Sequence, residues 1–454
     1  MFVGETKNNE NILKLHKPIE NVNHSFQFQA KKLSIHCEPL KYDYDLLVIG
    51  GGAAGFFAAI SAAESAPSMK IGILEKTSKL LSKVRVSGGG RCNVTNAQDQ
   101  IKAFSKSYPR GEKFIYRLLH QFNQQNTVEW FADRGVKLHA EQDGRMFPVS
   151  NDSSSIVDCL MDAADKLKIH IKLQTAVQSV TKLDDGFQLE CSTGPISTQF
   201  LVLATGGHQH AKDYQWIRDL GLQISEPVPS LFTFNVPDHP MKNLMGVASE
   251  VRVKIDKTKL QETGPLLVTH WGFSGPAVLR CSAWGAKVLA EQQYKFQPRI
   301  NWLPDLNQEE VAEFLLQQKE YNSKKKTGQR IFDGIPQRLW EYLLDRAGID
   351  PETVWNEQKN AALRRLAEII TSDVYTVSGK TAFKEEFVTA GGVALDEIDH
   401  QTCMAKKIEG LYFAGEVLDA DGITGGFNFQ QAWSSGWIAG KSVAKQFNSK
   451  KYNG

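Results

Sequence analysis

At 454 residues the chain is too long for one compact core, so two or three structural units are expected. Its 41% apolar and 23% charged residues exclude a mainly disordered, collagen-like or fibrous protein. Fifty-three Lys and Arg face 51 Asp and Glu, and a net charge of +2 gives no global field that would announce nucleic acid or an anionic membrane.

Residues 1–40 read as a poorly ordered extension, although Phe26-Gln27-Phe28-Gln29 alternates like a short edge strand. No apolar segment follows a basic start, so no secretory leader is expected. Tyr44 to Ile49 is a continuous apolar run, followed by glycines, an Ala-rich helical segment to about Ser65, and a second apolar run, Ile71 to Leu74. Strand, glycine turn, helix, strand is the βαβ signature of a parallel sheet. The charge-free stretch Leu46 to Ala63 is long enough for a membrane span, but Gly50, Gly51, Gly52 and Gly55 interrupt it and no membrane partner is expected.

Helical patterns follow at Gly111 to Arg134 and Ser153 to Lys168, then strand-like segments at His170 to Val180, Phe187 to Cys191 and Phe200 to Leu203. From about Leu231 short β-like pieces (Phe232 to Val236, Ser249 to Ile255, Leu266 to His270, Lys295 to Trp302) suggest a small barrel-like unit. Amphipathic helices come next, at Asn307 to Glu320, Pro336 to Ala347 and Asn356 to Ile370. From Phe387 the Gly-punctuated βα texture returns and ends in a helix, Asn428 to Gln446. The expected organisation is an α/β, Rossmann-like domain in two pieces, residues 41–230 and 374–446. An insert at 231–373 separates them, β-barrel-like over about 231–303 and helical over about 304–373. A tail at 447–454 closes the chain.

The chemistry starts at Gly50-Gly51-Gly52-Ala53-Ala54-Gly55, a GxGxxG that follows a strand and opens a helix. Gly50 permits the tight turn, Gly52 lets the backbone approach a pyrophosphate, and Gly55 lets helix and strand pack closely. The pyrophosphate sits on the helix N-terminus, with Ala53 and Ala54 in its first turn. Glu75, at the end of the next strand, is placed to hydrogen-bond an adenosine ribose, with Lys76 beside it and Val177 on a later strand as further contacts. The choice between FAD and NAD falls to later segments. Ser87, Gly88, Gly89, Arg91, Cys92, Asn93 and Thr95 form a second glycine loop suited to a long cofactor. Ala204-Thr205-Gly206 ends a strand that returns beside the adenine half. Gly415-Glu416 offers a carboxylate to ribityl hydroxyls, and Gly426-Phe427-Asn428 opens a helix whose N-terminus would stabilise reduced flavin. The cofactor read from these segments is FAD.

The strings Val86 to Asn96, Gly144 to Ser150, Thr269 to Ala277, Val388 to Val393 and Gly415 to Asn428 also carry a resemblance: over roughly residues 42 to 442 the chain resembles the BaiN/RdsA-like flavoproteins, the YhiN group. The resemblance implies an FAD domain split by an insert with a β-barrel-like and a helical part. It also implies reduction of an activated C=C bond, uridine in large-subunit ribosomal RNA or a steroid-like enone, with small-amine oxidation as an alternative activity. One departure stands out. After Gly207 the family has a Ser/Pro/Gly-rich loop with a Gly-Asp-Gly, where this chain has His208-Gln209-His210-Ala211-Lys212-Asp213-Tyr214. His208 and His210 would share a face on a strand, but no third ligand stands nearby and no metal is expected.

Three residues are candidates for catalysis, each with a plainer reading beside it. Cys92 is either a proton donor or a small residue packed under the cofactor. His270 is either a general acid over the flavin or a His satisfying local backbone. Arg145 either clamps an anionic or carbonyl substrate or merely closes a hairpin. Trp433 and Trp437 read as core, and the Lys324-Lys325-Lys326 and Arg330 run as a solvated helix end that could also grip phosphates. The chain has no second GxGxxG, so NAD(P)H as a transient reductant and electrons from a substrate or another protein both stay open. Six scattered cysteines without a CxxC suit a reducing compartment, and the cytoplasm is the expected location. A flavin serving only as a structural or redox-sensing element of a binding protein is the non-enzyme reading.

Overall fold

The computed structural model describes residues 42–237, 240–381 and 388–453; the expected strand at Phe26–Gln29 lies outside them. Strand β1 (Tyr44–Ile49), helix α1 (Ala53–Ser65) and strand β2 (Ile71–Leu74) form the expected βαβ unit. β1 pairs in parallel with β2 on one side and with Ile196–Leu203 on the other; β2 pairs in parallel with His170–Lys172. Gly186–Cys191 and Val177–Leu183 extend the sheet antiparallel, and Leu411–Phe413 joins Ile196–Leu203 in parallel. A strand that begins some 360 residues after β1 thus completes the same sheet, which is the α/β, Rossmann-like arrangement.

Both faces of β1 are covered, which is why its pattern is continuous rather than alternating. α1 lies on one face and is itself covered by the C-terminal helix, Phe427–Asn453. Two glycines one turn apart set that approach. A Cβ at Gly436 would lie 2.6 Å from the Ala54 carbonyl oxygen, and one at Gly440 would overlap the Ala58 carbonyl oxygen. Trp433 is fully buried there, its ring against Phe57 and its indole N–H donating to Val94 O at 2.9 Å. Trp437 stacks on Phe122, half-buried, so Trp433 lies in the core and Trp437 packs against it.

The insert has its own apolar cluster, from Phe232 to Val377, separate from the one around β1. Its larger sheet has seven strands, antiparallel throughout, in the order Asp373–Val374, Pro298–Asn301, Ala248–Ile255, Gln261–Val268, Gly272–Ser274, Thr233–Asn235, Lys380–Thr381. The two edge strands are consecutive stretches of one chain segment. Six residue steps reach at most about 20 Å, whereas a flat seven-stranded sheet is roughly 29 Å wide. The sheet must therefore curl. The boundary expected at 373/374 falls inside this sheet: Asp373 to Thr381 pair with insert strands, and Tyr375 and Val377 are buried in the insert's core.

Three helical expectations shift. The Gly111–Arg134 pattern is two helices, Glu112–Leu119 and Gln124–Ala132, because Asn123 caps a new helix by accepting from the Gln125 and Asn126 N–H groups. The helix expected from Asn356 starts at Asn360, after a short 3-10 turn at Trp355–Glu357. At the end of the chain no separate tail follows Gln446; the last helix runs on to Asn453.

Two features join the insert and the Rossmann-like unit. Ile224–Ser230 pairs antiparallel with Val388–Val393, so the chain enters and leaves the insert on neighbouring strands. Close by, the fully buried Asp421 carboxylate takes both an ion pair from Arg110 and a hydrogen bond from Ser230 Oγ at 2.8 Å. Arg110 also donates to Ala283 O at 2.8 Å, inside the insert. Burial pushes the Asp421 carboxyl up and Arg110 pulls it back down.

Gly440→Val is expected to force the C-terminal helix off α1, at a cost of about 1–3 kcal/mol or more. Urea unfolding reads this directly: a lower midpoint is expected, and an unchanged one would mean the helices do not pack as closely as seen.

Candidate active site

The strand-to-helix turn after β1 is built for close approach. Gly50 has φ +118 and a Cβ there would overlap the Ala204 carbonyl; a Cβ at Gly55 would overlap Gly50 O. At Gly52 the opposite holds: nothing lies within 4 Å of the Cβ position. Gly52 is also the N-cap of α1, contributes no side-chain cap, and is followed by no acidic residue in the first turn. The first N–H groups of α1 therefore face open space, where an anion is the natural partner. Glu75 stands beside them. Its Oε2 accepts from Gly51 N–H at 3.0 Å and its Oε1 from Thr77 N–H at 2.8 Å, which fixes the carboxylate at the end of β2. The segment leading to Val177 passes the same edge, with Thr175 N–H donating to Glu75 O at 2.9 Å.

The second glycine loop leaves a short helical turn at Ser87, which is extended, and passes through Gly88 and Gly89 with φ +59 and +68. Cys92 follows, also left-handed at φ +62, its N–H donating to Ser87 O at 2.9 Å. From there the loop is stitched to the start of the C-terminal helix. Asn93 bridges Thr95 O and Gly426 N–H at 3.1 and 3.0 Å, Asn96 Nδ2 donates to Gly425 O at 3.0 Å, and Thr95 Oγ1 donates to Gln430 Oε1 at 2.6 Å. Phe427 packs edge-on to Phe104, and the Asn428 amide closes on both backbone groups of Gly422. Glu416 projects between the two halves, its Oε2 taking Lys83 Nζ at 2.6 Å and its Oε1 the Thr389 N–H at 2.9 Å.

The structure thus brings together Gly50 to Gly55, Glu75, Ser87 to Thr95, Ala204 to Gly206, Glu416 and Gly426 to Asn428 around α1. Lys83 and Thr389 belong to the same group but were not singled out in the sequence. Lys83 stands only four residues before Ser87, which was the available signal; Thr389 is placed by a strand pairing that no local pattern shows. Arg110, the partner of Asp421, left no signal either.

Of the catalytic candidates, Cys92 is fully buried and its thiol is pushed up to about 12 by desolvation, which disfavours the thiolate. Of its two readings, burial in the core cluster that also holds Val94 and Phe104 fits the small packed residue. Arg145 is engaged within its own hairpin, to Glu141 at 2.8 Å and Asp143 at 2.6 Å. Glu141 also takes Arg91, whose guanidinium lies 4.0 Å from the centre of the buried Phe147 ring. Arg145 is therefore a hairpin residue before it is a substrate clamp. His270 is exposed on the turn before Gly272–Ser274, its ring edge-on to Trp271 at 4.0 Å. His208 and His210 lie in a loop rather than on a strand, and among the described residues no group of three or more His, Cys, Asp or Glu is placed to hold a metal. No helix among the described residues is long and apolar enough to cross a membrane.

Comparison with known proteins places this geometry. Residues 44–442 match the family described as the HI0933-like protein Rossmann domain. The chain belongs to that family. HI0933-like proteins are FAD-dependent oxidoreductases, and the open N-terminus of α1 with its glycine cradle fits the FAD pyrophosphate. Among curated relatives, the 3-dehydro-bile acid delta(4,6)-reductase of Clostridium scindens is 29% identical, covering 88% of this chain and 98% of the relative. The ribosomal RNA dihydrouridine synthase of Escherichia coli is likewise 29% identical, with the same coverage. Among solved structures, a flavocytochrome c3 fumarate reductase in its open conformation is 17% identical with a TM-score of 0.47, over 88% of this chain and 78% of that one. As an HI0933-like protein the chain would hold FAD through Gly50–Gly55, Glu75, Ser87–Thr95, Thr205–Gly206, Glu416 and Gly426–Asn428.

Gly52→Val has room in the protein itself, so folding stability should stay within about 0.5 kcal/mol. The side chain would occupy the anion's place, and flavin content after purification should fall several-fold. Retained flavin would remove Gly52 from the site. Separately, iodoacetamide at about pH 8 should leave Cys92 unlabelled in the native protein and label it after unfolding. Native labelling, read by peptide mass spectrometry, would return Cys92 to the catalytic candidates.

Proposed function

We propose that this FAD-dependent oxidoreductase reduces a carbon–carbon double bond conjugated to a carbonyl, its substrate being uridine in large-subunit ribosomal RNA. The observation that carries the reading is near-full-length similarity to relatives of two names. Both a delta(4,6)-reductase and the dihydrouridine synthases of Escherichia coli and Haemophilus influenzae align over 98% of their own lengths. Both names describe saturation of a double bond, so that chemistry is the shared denominator.

Reduced FAD supplies the hydride. In uridine, conjugation to the C4 carbonyl makes C6 electrophilic, and the proton goes to C5. The residues around α1 bind and orient the dinucleotide, and the apolar packing of Phe427, Phe104 and Tyr108 excludes water beneath its site. His270, exposed next to Trp271, is the proposed proton donor, with Trp271 held by its indole N–H on Thr233 at 3.2 Å. Cys92, fully buried, is not proposed for that role. The cytoplasm, where ribosomes are, is the proposed location.

The test is mass-spectrometric mapping of large-subunit ribosomal RNA from cells with and without the gene. A uridine heavier by two hydrogens should disappear on deletion and return with the gene, but return poorly with a gene carrying His270→Asn. Unchanged RNA would sink the substrate, and peroxide release with small amines would then support the oxidase alternative.

A further inference from the structure

The loop in which this chain departs from its family, His208 to Tyr214, is placed against the cofactor cradle. Ile196–Leu203 delivers Ala204 and Thr205 onto the turn after β1, where a Cβ on Gly50 would stand 3.2 Å from the Thr205 Cα. His208 Nε2 lies 3.3 Å from Thr205 Oγ1. On the other side of Gly207 a Cβ would come within 2.7 Å of the Glu416 carboxylate. The imidazole is fixed: its ring is edge-on to Tyr214 at 4.8 Å, and its backbone N–H donates to the Tyr214 hydroxyl at 3.1 Å. The charged groups that face it are Lys76 after β2, Lys83 before the second glycine loop, Asp213 on its own loop and Glu416. His208 thus lies beside Thr205, which packs on the turn that opens α1, with Lys76 and Lys83 among the charges that act on its ring.

We propose that His208 is a phosphate-binding group of the FAD site and takes up one proton from solvent as the dinucleotide's pyrophosphate binds beside it. The inference rests on the FAD reading of the cradle. Burial first, then Lys76, hold the imidazole below its ordinary value, so in the protein itself the ring is neutral at pH 7. The pyrophosphate acts in the opposite sense and raises it. The gain in FAD affinity is therefore complete below the free protein's lowered value and is lost as pH rises through the higher value of the complex. Within that window the affinity changes by up to about tenfold per pH unit. Asp213 and Glu416 favour the protonated ring as well, but Glu416 is already paired with Lys83.

The experiment is FAD release from the purified holoenzyme on dilution, followed by recovery of flavin fluorescence at about pH 6 and about pH 8. Release from the wild type should be several-fold slower at the lower pH. His208→Gln, which keeps a hydrogen-bonding side chain without the charge, should release FAD at one rate at both pH values. His210→Gln, two residues away and exposed, should behave as wild type. If His208→Gln folds poorly, His208→Asn serves the same purpose. A wild type without pH dependence, or a His208 variant that keeps it, overturns the proposal. Protein that purifies without FAD and does not take it up would instead overturn the cradle reading beneath it.

Discussion

The site depends on how closely α1 is held between two neighbours. On one side Gly55 lets the helix rest on the turn after β1; on the other Gly436 and Gly440 let the C-terminal helix rest on α1. Side chains at Gly436 or Gly440 would separate the two helices toward the ordinary interhelical distance of 8–10 Å. With the axis fixed from both sides, the N-terminus of α1 points at one place, and Gly52 leaves that place open. The charges around it are then secondary in a definite sense: they act on whatever that backbone geometry has already located.

Those charges are nearly all tied. Lys83 and Glu416 hold one another, Arg91 and Arg145 share Glu141, and Arg110 is locked on Asp421. Pairing at partly buried positions limits each side chain to one geometry, and removing a single partner would leave a charge uncompensated. Arg145 is paired within its own hairpin and Cys92 is fully buried, so both are constrained by neighbours that their residue types do not announce.

The part of this legible in sequence is the part governed by local rules. The turn after β1 is written in four glycines and the helix that follows, and Glu75 lies at the end of the next apolar run. Capping also acts locally, yet Asn123 was hidden inside a pattern that continued through it, since apolar spacing alone does not register a change of helix axis. Val374 to Thr381 pairs with the insert although the sequence placed it outside, because its strands are two residues long and carry no periodicity. Contacts made across the whole chain were out of reach: Arg110 with Asp421, Thr389 with Glu416, and the placing of His208 beside Thr205 all require the finished fold. The depth of Cys92 belongs to the same class, because burial is a property of the assembly and not of the loop.

The ladder between Ile224–Ser230 and Val388–Val393 has a consequence for how such a protein changes over time. Ser230 and Val388 sit opposite one another, so antiparallel pairing sets the two chain crossings of the insert only about 5 Å apart. A lineage can therefore exchange or reshape the whole intervening segment without moving a strand of the flavin unit, as a tool is changed in a chuck.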